Sequence, residues 1–218
     1  MDISSAHLDE ALRHVSTVLG VSVEDFRKAE DAAFAELGNS PLREAVISRA
    51  CELMDFQPSA RDLDSAVDLW ASFTRTWLTP RPGVISALRA LKAQGLRTGL
   101  ISNCDATVPL VWPATIFAPL IDIPVFSSSE GLKKPDAAIY QLAAHRLRHA
   151  PQECLFIGDG SSDELTGAVG VGMGAVQLLL DGEDPAVGTW LQRQAWDGPV
   201  IHRFTNVMEM VARKPMPS

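Results

Sequence analysis

The sequence has few cysteines, no cluster of basic residues and no long apolar run, and each of these absences excludes a class of protein. Three cysteines without a Cys-x-x-Cys pair do not make a disulfide framework and are typical of a reducing compartment. The formal net charge of −8 disfavours a protein that binds nucleic acid through its phosphates. No stretch approaches the length of a membrane span, and no basic segment followed by an apolar one opens the chain. We therefore expect a cytoplasmic protein with no nucleic acid and no membrane among its partners.

The composition is that of a globular protein with a sizeable core. The chain has 218 residues, of which 46% are hydrophobic and 21% are charged. This length predicts one large domain, or a core with an inserted subdomain.

The first eighty residues show helical spacing and no strand pattern. Apolar residues recur three and four positions apart in four successive segments, which predicts a four-helix bundle. The third of these segments, residues 41 to 54, is predicted to turn Leu42, Val46, Ala50 and Leu53 inward.

The pattern changes after the turn formed by residues 79 to 83, which contains two prolines and a glycine and cannot continue a helix. Short apolar runs then alternate with amphipathic helices, and this alternation is typical of a parallel α/β sheet. We place the domain boundary here, with a helical domain over 1–79 and an α/β core over 80–218. The predicted strands cover 97–102, 124–128, 154–158, 174–180 and 199–203, and the predicted helices cover 84–94, 135–149, 163–170, 185–195 and 205–213.

Polar residues follow three of the apolar runs, at the points where ligands of such a sheet bind. Ser102 and Asn103 follow the first run, Lys133 and Lys134 precede a proline, and Asp159, Asp163 and Glu164 follow Phe156-Ile157-Gly158. A hydroxyl donates to a phosphate oxygen, an ammonium offsets the charge of the phosphate, and carboxylates are ligands that Mg²⁺ prefers. The three runs together predict a site for a phosphate and a divalent cation.

These motifs resemble those of the haloacid dehalogenase superfamily, in its helical-cap subgroup, over residues 80–213 for the core and 5–78 for the cap. The resemblance implies a Rossmann-like parallel sheet with an α-helical bundle cap, Mg²⁺ as cofactor and a small phosphorylated metabolite as substrate. It implies that Ser102 and Lys134 are catalytic and bind phosphate together with Asn103, and that Asp159 binds the metal. The second metal-binding acid is Asp163 or Glu164, and Gly167-Ala168 favours Glu164. Lys133 is then a solvated neighbour of the functional lysine, and the less favoured alternative is that Lys133 is itself that lysine.

The sequence departs from the family at its start. The family begins with an apolar strand that ends in Asp-x-Asp, whose first aspartate is the nucleophile, and no such segment is present. Asp62-Leu63-Asp64 matches the Asp-x-Asp pattern, but it follows no apolar run and falls on a predicted helix. The first core strand is therefore missing from between the strand that ends at Ser102 and the one that precedes Asp159.

The missing strand leaves three structural alternatives. The two neighbouring strands pair directly, another chain fills the gap, as in a homodimer, or the true start codon lies upstream and restores the strand, which we favour. We predict an α/β hydrolase, by resemblance a phosphatase that needs Mg²⁺, that is inactive as printed because its nucleophile is absent. The alternative is a catalytically dead pseudoenzyme that binds phosphate or regulates another protein. A true dehalogenase needs the same missing aspartate and has less support.

Overall fold

The computed structural model describes residues 5–37, 42–179 and 195–212 of the chain. The chain divides into two compact units. One comprises the helices up to Thr79 together with Cys104–Thr115, and the other comprises Pro80–Asn103 and the chain from Ile116 onward. The segment 104–115 therefore differs from the sequence reading, which assigned it to the α/β core. None of the described helices is long and apolar enough to cross a membrane.

The helical unit contains five α-helices among its described residues. They are α1 (Ser5–Leu19), α2 (Val23–Leu37), α3 (Arg43–Leu53), α4 (Ala60–Trp77) and the short α6 (Thr107–Val111). Asp62 and Asp64 both lie in α4, where the hydroxyl of Ser59 accepts a hydrogen bond from the main-chain nitrogen of Asp62. This aspartate pair is thus part of a helix start, as predicted.

The inward face of α3 is not the one that its apolar residues predict. Val46 and Ala50 are fully buried, but Leu42 is 66% exposed and Leu53 is 40% exposed. The prediction that Leu42 and Leu53 turn inward is therefore wrong. Arg43, which is buried, occupies the inward face instead of Leu42. A buried arginine is possible here because acidic side chains pair with it, as described below.

The second unit is an α/β unit with three layers. Its strands are β1 (Gly99–Ser102), β2 (Ile123–Phe126), β3 (Leu155–Gly158), β4 (Gly174–Leu178) and β5 (Val200–Ile201), and its helices are α5 (Val84–Ala93), α7 (Ser127–Glu130), α8 (Ala137–Leu147), α9 (Glu164–Gly170) and α10 (Val207–Ala212). Each of the five predicted strands has a counterpart, shorter by one to three residues. The predicted helix 185–195 lies outside the described residues, apart from its last position.

The strands form two parallel sheets among the described residues. β1 pairs with β2, with Ser102 opposite Phe126, and the other sheet has the order β3-β4-β5. The parallel pairing confirms the predicted fold class. Of the alternatives for the missing strand, direct pairing of β1 with β3 does not occur in the described part of the chain.

Strands of both sheets contribute to one apolar cluster. Phe156 of β3 packs in one cluster with residues of α8 and α9, and this cluster also includes Ile101 of β1 and Val125 of β2. Leu155 and Ile157 point to the opposite face and pack in a second cluster with residues of α5 and α10. Ile101 of β1 and Phe156 of β3 are therefore covered by the same apolar cluster.

Candidate active site

The candidate site residues lie at the carboxyl ends of β1 and β3, in the α/β unit. Ser102 is the last residue of β1 and is only 4% exposed, and Asn103 follows it directly. Asp159 follows the last residue of β3. Lys134 lies in the turn that leads into α8, ahead of Pro135. The carboxyl ends of parallel strands are the places at which such sheets bind ligands.

The side-chain amide of Asn103 holds the main chain of Lys134 through two hydrogen bonds. Its Oδ1 accepts a hydrogen bond from the main-chain nitrogen of Lys134 at 2.8 Å, and its Nδ2 donates to the carbonyl oxygen of Lys134 at 3.0 Å. The turn that carries Lys134 is thereby fixed to the end of β1. The two residues are 31 positions apart in the chain.

The ammonium of Lys134 donates to the carboxylate of Glu164. The Nζ to Oε2 distance is 2.6 Å, and the two side chains are 11% and 4% exposed. The other oxygen of Glu164 accepts a hydrogen bond from the main-chain nitrogen of Gly160 at 3.1 Å. Burial raises the pKa of the Glu164 carboxyl above its usual value, while Lys134 opposes this rise and the charge of Asp159 adds to it.

Hydrogen bonds with neighbouring residues orient Asp159. Its Oδ1 accepts a hydrogen bond from the main-chain nitrogen of Ser161 at 2.9 Å. Its main-chain carbonyl accepts a hydrogen bond from Gln177 Nε2, on β4, at 3.1 Å. Gln177 is buried and was not identified from the sequence, because a single glutamine in an apolar strand carries no specific signal.

The two candidates for the second acid have different environments. Asp163 is exposed and precedes the first residue of α9 in a left-handed conformation, with φ of 50°. Glu164 is buried, bonded to Lys134 and close enough to Asp159 for the charge of Asp159 to affect its pKa. Glu164 is therefore the candidate that contacts Lys134 and feels the charge of Asp159.

Gly158 and Tyr140 make the position of Glu164 possible. A Cβ atom at Gly158 would collide with Oε1 of Glu164, so this last residue of β3 has to be glycine for the carboxylate to lie there. The hydroxyl of Tyr140 donates to the main-chain carbonyl of Glu164 at 2.9 Å. Burial, assisted by the negative charge of Glu164, raises the pKa of Tyr140, so the hydroxyl stays protonated and acts as a donor.

Tyr140 is a residue that the sequence reading missed. It is the single tyrosine of the chain and lies on α8, where it is fully buried. A buried phenol needs a polar partner, and the lone tyrosine six positions after Lys134 was the signal that could have identified it.

The carboxylates fit a divalent cation that also binds substrate and water. Among the described residues, no group of three or more histidine, cysteine or acidic side chains is arranged to hold a metal ion. Mg²⁺, however, is commonly held by one or two carboxylates, with phosphate oxygens and water as its other ligands. Asp159 and Glu164 meet that smaller requirement.

Comparison with known proteins decides the family. The sequence model of the haloacid dehalogenase-like hydrolases matches residues 4–170 of the chain. The chain belongs to this family. The resemblance to this family that was found in the sequence is thus confirmed.

Curated relatives of this haloacid dehalogenase-like hydrolase include phosphatases. It is 31% identical to the glyceraldehyde 3-phosphate phosphatase of Methanothermobacter thermautotrophicus over 62% of this chain and 59% of that protein. It is also 31% identical to phosphatase MT3486 of Mycobacterium tuberculosis over 70% of this chain and 67% of that protein. The chain spans only 42% to 59% of the length of the first three glyceraldehyde 3-phosphate phosphatases that it matches.

Solved structures show the same fold over nearly the whole chain. A 2-haloacid dehalogenase from Pseudomonas syringae pv. Tomato DC3000 matches with a TM-score of 0.70 and 24% identity, over 94% of this chain and 89% of that one. A HAD phosphatase from Thermococcus onnurineus matches with a TM-score of 0.64 and 18% identity, over 96% of this chain and 90% of that one. The two proteins are named for different chemistries, so the fold by itself does not choose between them.

Proposed function

We propose that this chain carries the phosphate-binding and metal-binding residues of a hydrolase that acts on a small phosphorylated metabolite with Mg²⁺. The observation that carries the proposal is the position of Lys134. Its main chain is held by Asn103 and its ammonium is held by Glu164, so one residue joins the end of β1 to the acids that follow β3. The ammonium of Lys134 and the buried hydroxyl of Ser102 match the charge and the acceptor atoms of a phosphate group.

Each residue has a distinct part in this proposal. Ser102 donates its hydroxyl to a phosphate oxygen, Asn103 orients the turn, and the ammonium of Lys134 neutralises charge on the phosphate. Asp159 and Glu164 would hold Mg²⁺, which when bound polarises the phosphoryl group as a Lewis acid. Phosphatases among the curated relatives support a phosphate ester over a halogenated acid as the substrate class.

The residues of the printed chain do not complete a catalytic site. Phosphoryl transfer to a carboxylate needs that carboxylate in line with the phosphorus, and no Asp-x-Asp follows an apolar strand in the sequence. Loss of a nucleophile that works as part of a unit lowers the rate by a factor on the order of 10⁶. We therefore propose that the chain as printed hydrolyses phosphate esters very slowly or not at all.

The pairing of the strands supports a missing strand as the reason why the site lacks a nucleophile. In the described part of the chain, β1 pairs with β2 alone and β3 with β4 alone. All four residues of β3 are partly exposed, whereas the three middle residues of β4 are buried. An interior strand of a parallel sheet is normally covered on both sides, so the exposure of β3 is consistent with an absent neighbour between it and β1.

A second candidate function follows from the same geometry. The contacts among Asn103, Lys134 and Glu164 form without the missing strand. The chain is therefore equipped to bind phosphate without hydrolysing it, as a pseudoenzyme with a binding or regulatory role. The two candidates differ only in whether a nucleophile is supplied.

Hydrolysis of an aryl phosphate in the presence of Mg²⁺ distinguishes the candidates. We expect no turnover by the printed chain. We expect turnover after extension of its amino terminus by an apolar segment of about five residues followed by Asp-x-Asp, and none when both added aspartates are asparagine. Phosphate binding without turnover in the aspartate extension would favour the pseudoenzyme. Efficient turnover by the printed chain, abolished by Asp159→Asn, would contradict the proposed inactivity.

A further inference from the structure

A second cluster of buried charges lies in the helical unit and has no part in the chemistry proposed above. Arg43, the first residue of α3, donates Nη1 to Glu30 Oε1 at 2.5 Å. It also donates Nε to Asp105 Oδ2 at 3.1 Å, and its Nη2 contacts the same oxygen. The three side chains are at most 9% exposed. The guanidinium lies over the ring of Trp70, with Cζ 3.6 Å from the ring centroid.

The contacts of this cluster fix Asp105 from several directions. One oxygen of Asp105 accepts from two nitrogens of Arg43, and the other accepts from the main-chain nitrogen of Thr107 at 2.8 Å. The planar guanidinium makes these contacts while it stacks on Trp70, a combination that a lysine does not reproduce. Because the charges are buried, removal of Arg43 leaves two carboxylates without their shared partner.

Asp105 lies two positions after Asn103, at a point where the chain passes from one unit to the other. The passage falls between Asn103 and Cys104. On one side of it, Asn103 is bonded to the main chain of Lys134, and on the other side Asp105 is held by Arg43. Only Cys104 separates the two attachments. The turn that leaves β1 is therefore held at both of its ends.

We propose that Arg43 is a positioning residue for the turn Ser102-Asn103. By holding Asp105, Arg43 fixes the path of the main chain that carries the hydroxyl of Ser102 and the amide of Asn103. Its effect reaches the phosphate through that main chain, without contact between Arg43 and the ligand. The part of this inference that concerns phosphate rests on the proposed function, while the part that concerns the Asn103–Lys134 contact does not.

Two measurements on Arg43→Gln test the proposal. The first is hydrogen exchange of the Lys134 main-chain amide, which reports the bond to Asn103 Oδ1. The second is the affinity for inorganic phosphate in the presence of Mg²⁺, measured by calorimetry. Arg49→Gln is the matched control, because Arg49 lies on the same helix and forms ion pairs with Glu36 and Glu52 at a partly exposed site. Val15→Ala controls for a loss of stability in the same apolar core.

We expect Arg43→Gln to accelerate exchange at Lys134 and to weaken phosphate binding by about tenfold, the usual scale for a residue that supports a ligand-binding residue. Both controls should leave the two quantities close to those of the unmodified chain. If Arg43→Gln does not fold, Arg43→Lys replaces it in both measurements. We expect faster hydrogen exchange at the Lys134 amide in this variant too, because lysine lacks the planar set of donors of arginine.

The outcomes separate this inference from the proposed function. Exchange at Lys134 that is unchanged in the Arg43 variant, or accelerated equally in Val15→Ala, would overturn the positioning role. If the unmodified chain binds no phosphate, the proposed function fails. Exchange at Lys134 would still decide whether Arg43 holds the turn.

Discussion

Lys134 and Glu164 form a buried ion pair at the carboxyl edge of the sheet, with 2.6 Å between Nζ and Oε2. The pair joins the turn before α8 to the start of α9. A phosphate bound to Lys134 would compete with Glu164 for the ammonium. Mg²⁺ would then neutralise the negative charge of the Glu164 carboxylate in place of that ammonium. Phosphate and metal are therefore expected to support each other's binding at this site.

Removal of the ammonium should destabilise the fold strongly. Lys134→Ala leaves the carboxylate of Glu164 buried without its cation, which costs about 3 to 5 kcal/mol. Lys133→Ala is the matched control, because Lys133 is exposed and adjacent in the chain. Urea unfolding followed by tryptophan fluorescence measures both variants. Equal stability of the two would show that the pair contributes little.

Gly158 should be required for the metal site. In Gly158→Ala the new methyl group displaces the carboxylate of Glu164, so addition of Mg²⁺ should raise the melting temperature less than it does in the unmodified chain. Gly170→Ala is the control, because no atom lies within 4 Å of the added Cβ at Gly170. Equal effects of Mg²⁺ on both variants would argue against Glu164 as a ligand.

The hydroxyl of Tyr140 should contribute to stability through one buried hydrogen bond. Tyr140→Phe leaves the main-chain carbonyl of Glu164 without this donor, and we expect a loss of about 1 kcal/mol in the free energy of unfolding. Chemical denaturation measures the loss. An unchanged midpoint and slope would mean that another donor replaces the hydroxyl.

Asp122 should make the stability of the α/β unit depend on pH. Burial acts to raise the pKa of its carboxyl, but Lys92 and the hydrogen bonds from Thr98 outweigh burial and lower it. A carboxyl with a lowered folded-state pKa stabilises the fold above its unfolded pKa, and this contribution is lost as the pH falls through the folded value. Asp122→Asn should therefore cost about 1 to 2 kcal/mol at neutral pH, and the difference should shrink below a pH of about 4.

The control for this pH dependence is Asp68→Asn, at an exposed position of α4. Its free energy of unfolding should match that of the unmodified chain at neutral pH and at acidic pH. A difference for Asp122→Asn that stays constant between neutral and acidic pH would show that charge is not the cause.

The sequence predicted the family and the strands better than it predicted the packing of side chains. The sequence analysis selected Ser102, Lys134 and Asp159 as candidates because each follows or adjoins a recognisable apolar run, and the strand ends of a parallel sheet lie along one edge. The sequence does not separate Asp163 from Glu164 as the second acid, because adjacent residues lie at nearly the same spacing from Asp159. The structure shows that the two differ in burial. The absence of the first core strand stays a prediction, and of its three alternatives only the direct pairing of β1 with β3 is not found among the described residues.

The errors came from contacts between distant parts of the chain. The spacing of apolar residues predicts that Leu42 faces inward. Arg43 is buried instead, because Glu30 and Asp105, which lie 13 and 62 positions away in the chain, pair with it. Such pairing leaves no periodic signal. For the same reason, the sequence did not indicate that residues 104–115 belong to the helical unit.

Titration of inorganic phosphate into the chain in the presence of Mg²⁺ tests the central claim most directly. We predict saturable binding that is lost in Lys134→Ala and retained in Lys133→Ala, because the ammonium of Lys134 is the buried cation of the site. Binding that is absent from the unmodified chain, or that survives in Lys134→Ala, would contradict the account.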